Sequence, residues 1–86
     1  MEFQFTKHAL KQSNDRGISQ DEIKDAILSC KWVTVEHGRS SAKLVFKYNK
    51  SWEGVFYKQK EVKVIFTKEN DKIIVITAIA RYFKDW

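Results

Sequence analysis

The chain has little with which to staple itself. Its single cysteine, Cys30, rules out an internal disulfide, and one Cys with two widely spaced histidines, His8 and His37, supplies no four-ligand zinc set. No metal and no cofactor is therefore expected. No stretch approaches the roughly 20 apolar residues that span a bilayer; the longest apolar run, IIVITAIA at 73–80, has the length of a strand. The start, MEFQFTKHALK, lacks the basic segment and apolar run of a signal peptide. Repeats, linkers and low-complexity segments are missing too. These absences point to a single domain over residues 1–86, soluble, off the membrane and in the reducing cytoplasm, held together by hydrophobic contacts alone.

What is present is aromatic and basic. Three Trp, three Tyr and six Phe give a small chain large side chains to bury. The net charge of +5 is uneven. Residues 1–30 set Lys7, Lys11, Arg16 and Lys24 against Glu2, Asp15, Asp21, Glu22 and Asp25, whereas residues 31–86 carry twelve basic and six acidic side chains. The second part therefore suits a polyanion such as RNA, although lysine also serves plain solubility.

Periodicity divides the chain at the same place. EFQFT (2–6) alternates and reads as a short strand or an extended lead-in. Thr6 suits the N-cap of a helix to about Asn14, and Gly17 the left-handed position after it. Ser19-Gln20-Asp21-Glu22 is a capping box that opens a second helix, with Ile23, Ala26, Ile27 and Cys30 as its apolar stripe. From Trp32 the period falls to two. WVTVEH (32–37), SAKLVFKY (41–48), WEGVFYK (52–58), EVKVIFT (61–67) and IIVITAIA (73–80) read as strands. Turns are expected at 37–40, 49–51 and 68–72, and a bulge at Gly54. IIVITAIA, apolar on both faces, reads as a central strand. The expected fold is α+β, with two N-terminal helices on one face of a four- to five-stranded antiparallel sheet. The opposite face is left open and presents Lys43 and Lys47.

The run FTKHALKQSNDRGISQDEIKDAIL, followed by strands and IIVITA, resembles the DUF4258 group of small bacterial and phage proteins. The shared pattern is an aromatic, a Ser or Thr, H-A-x-x-R, then R-G-I-[ST], an amphipathic helix and an apolar strand ending in V-I-T-A/V. Families of this kind resemble the barnase–EndoU–colicin–RelE type of RNase fold, shared by RelE- and ParE-like toxins. The resemblance implies a two-helix, four-stranded domain and a toxin-type endoribonuclease that needs no metal. Gln12 stands where the pattern has its first arginine; Arg16 and Thr77 keep the rest.

Such cleavage needs a base or acid beside the 2′-OH and cations around the phosphate. His8 is the candidate acid/base, on a polar helix face with Lys11, Gln12 and Asp15; the alternative is a surface histidine. Thr77, the one polar residue of IIVITAIA, and Arg81 beyond it complete the catalytic set. Arg16, Lys43, Lys47 and Tyr82 are candidates for substrate binding, Tyr82 by stacking a base. Lys63 is a further outward cation. Arg81 could instead stack on Phe83 or Trp86, and Trp32 and Trp52 read as core. His37, in a turn, is a weaker candidate. A toxin implies a partner, an acidic antitoxin or immunity protein that covers the basic face. The rival expectation is a non-catalytic RNA- or protein-binding module of the same fold, with Gln12 marking the lost activity.

Overall fold

The computed structural model describes residues 2–84. Eight elements follow in order: β1 (Glu2–Phe5), α1 (Lys7–Asp15), α2 (Gln20–Ser29), β2 (Val33–Thr34), a 3-10 turn (Glu36–Gly38), β3 (Ser40–Trp52), β4 (Val55–Glu69) and β5 (Lys72–Phe83). The strands form one sheet in the order β1-β5-β4-β3-β2. The fold is α+β as expected, with one difference: β1 runs parallel to β5, so the sheet is mixed rather than wholly antiparallel. The lead-in strand pairs with the first four residues of the last one, Lys72–Val75.

Local chemistry sets both helix ends. Thr6 Oγ1 accepts the Ala9 N–H at 3.0 Å and opens α1. Gly17, at φ +70°, closes it: the Gly17 N–H donates to Asn14 O and the Ile18 N–H to Ser13 O, which is a full Schellman motif. One residue later Ser19 and Glu22 exchange the two bonds of a capping box. Ile23, Ala26 and Ile27 then point into the core with Ala9 and Ile18. They meet Ala42, Val62, Val64, Phe66, Ile73, Val75 and Ala78 from one sheet face.

The strands differ from the sequence reading in three places. WEGVFYK is not a strand. Glu53 (φ 51°) and Gly54 (φ 82°) both adopt positive φ and make a two-residue hairpin turn, so the segment is shared between β3 and β4. The irregularity sits instead at Asn49 (φ 49°), where the register shifts between Lys47 and Lys50. Asn49 was expected in a turn, yet asparagine tolerates the left-handed conformation and bends a continuous strand here. WVTVEH contributes only Val33 and Thr34, which pair with Ser41 and Ser40. His37, at φ 62°, turns the chain before a longer strand can form. β5 is central only over its first four residues, Lys72–Val75. From Ile76 its outer edge is closed by α1, through Thr6 Oγ1 to Ile76 O (3.3 Å) and Arg16 to Ala78 O (2.7 Å).

Candidate nucleic-acid interface

Alternation along β3, β4 and β5 decides what the open face carries. Side chains between those facing the helices point the other way. Register lines them up in three rows: Lys43, Lys63, Ile79; Val45, Glu61, Arg81; Lys47, Gln59, Phe83. Glu61 is the centre of this grid. Lys43 and Lys47 lie diagonally from it, Lys63 is two residues along its own strand, and Arg81 is directly across. The Arg81 guanidinium comes within 3.9 Å of the Glu61 carboxylate and lies over the Phe83 ring at 5.5 Å. Trp86, its other expected stacking partner, lies outside the described residues. Glu61 is only 8% exposed, whereas Lys43, Lys47, Lys63 and Arg81 all reach solvent. Four basic residues thus neighbour one carboxylate in the register, and among the described residues Arg81 alone comes within 4 Å of it. Beside the grid, a groove of about 420 Å³ runs to β2 and is lined by Lys31, Val33, Val35, Ser41, Lys43 and Lys63.

The residues expected to form one catalytic set are divided between two sides of the sheet. Thr77, paired with Ile65, and Arg81 belong to the open face with Lys43 and Lys47. His8 is exposed on α1, a helix whose Ala9 is packed in the core beneath the opposite face. His8 is thus carried by the helix layer and Arg81 by the open face. On the polar face of α1, Lys11 pairs with Asp15 at 3.2 Å in solvent. His37 is exposed in its turn.

Arg16 and Tyr82 also turn out differently from the substrate-binding roles expected of them. Tyr82 follows Arg81 and so faces the helices. Its hydroxyl donates to Arg16 O at 2.6 Å, and Trp52 stacks on its ring, 5.4 Å away with planes 13° apart. Burial, then the nearby Tyr48, Glu22, Glu53 and Tyr57, raises the Tyr82 pKa from 10.0 to about 12. Arg16 donates to Ala78 O. Both residues fasten the α1–α2 corner to the sheet.

The same corner contains the group that sequence reading missed. Lys60, 1% exposed, lies among the helix-facing residues of β4. Its ammonium donates to Gly17 O at 2.5 Å and to Glu22 Oε1 at 2.8 Å, and faces the rings of Tyr48 and Tyr82 at 5.4 and 5.6 Å. The signal was in the pattern: in KEVKVIF, Lys60 shares the phase of Val62, Val64 and Phe66. Around it, Trp52 presses on Gly17 so closely that a Cβ there would lie 2.5 Å from its Cζ3. The R-G-I-S motif is thus explained by structure: Arg16, Gly17 and Ser19 each hold the helix corner, with Glu22 serving both the capping box and Lys60.

Fold and surface define a small α+β domain with helices on one sheet face and a basic open face on the other. The chain belongs to the DUF4258 family, described as a domain of unknown function, which matches it over residues 5–80. No curated protein and no solved structure matches it. No helix among the described residues is long and apolar enough to cross a membrane.

Proposed function

We propose that this domain binds RNA along the open face of its sheet. The observation that carries the reading is the Lys43–Lys63 pair, two like charges set directly across the ladder. Such a pair is unfavourable by itself, and the neighbouring carboxylate, Glu61, comes within 4 Å of Arg81 and not of either lysine. Phosphates laid along the face would supply the missing negative charge, with Arg81 bidentate and the lysines tracking the backbone.

A second reading is a toxin-type endoribonuclease of RelE/ParE-like fold, cutting RNA without a metal. Glu61 favours it. A nearly buried carboxylate with four basic residues as its register neighbours can take the 2′-OH proton as that oxygen attacks phosphorus and return it to the 5′-oxygen as the P–O5′ bond breaks, while the cations hold the developing dianion. Glu61 thereby takes the acid/base place that sequence reading gave to His8. A toxin of this kind has an acidic antitoxin or immunity protein as its partner, complementary to the same face.

Anisotropy with single-stranded RNA tests the first reading: the Lys43→Glu/Lys47→Glu variant should bind at least about ten-fold more weakly, having lost two phosphate contacts. Unchanged binding would discard the open face. Cleavage of total RNA in EDTA tests the second, beside Glu61→Gln and His8→Ala. Cyclic-phosphate ends lost only with Glu61→Gln support it; loss only with His8→Ala restores the histidine. RNA bound but uncut leaves a binding module.

A further inference from the structure

We propose that the outer edge of β3 receives an extended acidic segment of a partner protein, which joins the sheet as an added strand. The inference stands on strand topology and charge and is independent of RNA binding.

The two edges of the sheet are finished differently. On one, β1 pairs with Lys72–Val75 of β5, and Thr6 and Arg16 take up the carbonyls of Ile76 and Ala78. On the other, β2 reaches only Ser40 and Ser41 of β3. From Ala42 to Trp52 the outer edge of β3 has no strand partner among the described residues, while its inner edge is paired with β4. Every second residue there turns its N–H and C=O outward. The bulge between Lys47 and Lys50 interrupts this edge, so the regular part is Ala42 to Tyr48. That is long enough for a typical strand of about five or six residues.

Charge selects the occupant. β3 reads SSAKLVFKYNKSW, with Lys43, Lys47 and Lys50 and no acid. A second copy pairing β3 with β3 would bring lysines alongside lysines, which edge lysines are known to prevent. An acidic strand meets the opposite condition. Position adds a second requirement. Leu44 and Phe46 face the helices but are only partly buried, because the sheet's hydrophobic layer stops at this edge. Apolar side chains on the incoming strand would extend that layer, while its other face would set acids beside Lys43 and Lys47. The segment should therefore alternate acidic and apolar residues and contain no proline. Backbone bonds would supply affinity and alternate side chains specificity.

The test selects a displayed library of random peptides of about twelve residues, enough for one strand with flanks, on the immobilised full-length protein. Enriched peptides should alternate acidic and apolar residues. A synthetic copy should slow amide hydrogen exchange at Ala42–Tyr48. Its affinity should fall at least about ten-fold against Lys43→Glu/Lys47→Glu, and likewise when proline replaces its central residue. Lys43→Gln/Lys47→Gln, which adds no repulsion, should give a smaller loss in the same direction. Absence of enrichment, protection confined to other residues, or equal binding by both variants would overturn the proposal.

Discussion

At the scale of single residues, Lys60 governs the packing of the corner. An ammonium this buried is tolerated because Gly17 O, Glu22 and two tyrosine rings replace water around it. Removing one member of a buried pair usually costs about 3–5 kcal/mol. Because Glu22 retains some access to water, Lys60→Ala should lie near the low end, about 3 kcal/mol, in urea unfolding. Lys60→Met keeps the volume and should lose less. Tyr82 adds a pH dependence. Its folded pKa lies above its unfolded value, so its contribution is complete below pH 10 and is lost as pH rises toward about 12. Phenolate absorbance should show one tyrosine ionising late, and unfolding midpoints should fall across that window. In Tyr82→Phe the fall should be shallower, with a loss of about 1 kcal/mol at neutral pH from the bond to Arg16 O.

At the scale of elements, the α1–α2 corner and the β3–β4 hairpin show how far local rules reach. The caps at Thr6, Gly17 and Ser19 were legible because each depends on a few neighbouring residues. What fixes Gly17 beyond its φ was not, since Trp52 comes from a strand far along the chain. Gly17→Ala would meet both restrictions. The left-handed conformation alone costs a β-carbon roughly 1–2 kcal/mol, and Trp52 must also move off Tyr82. A loss above that range, with an altered near-ultraviolet dichroism from the Trp52–Tyr82 stack, is expected. The hairpin was misplaced for a related reason. Asn49 and Glu53-Gly54 both allow positive φ, and only cross-strand register decides which one turns the chain and which bends it.

At the scale of the whole molecule, sheet pairing creates the candidate site. Lys43, Lys47, Lys63 and Arg81 come from three strands, and no local rule sets them around Glu61. If all four meet phosphates, the logarithm of the RNA affinity should fall with the logarithm of salt at a slope near about −2.8. For Lys43→Gln/Lys47→Gln it should flatten to about −1.4, as two counterions fewer are released. A slope unchanged by that double substitution would place the phosphates elsewhere. The separation of His8 from Arg81 has the same origin. Helix side and open side are distinguished only when the sheet forms, and α1 happens to cover the side away from the cations.

The sequence by itself determined the helix boundaries, the helix–sheet division at Trp32, the α+β class and the outward lysines of β3. Each of these follows from short-range periodicity or from the hydrogen-bonding needs of a helix end. Only the tertiary structure decided that β1 runs parallel to β5, that Lys60 is an interior ion, that Arg16 and Tyr82 hold the corner, and that Glu61 sits among cations. Those features rest on residues distant in the chain, and long-range register, which sets them side by side, is not written in any local window.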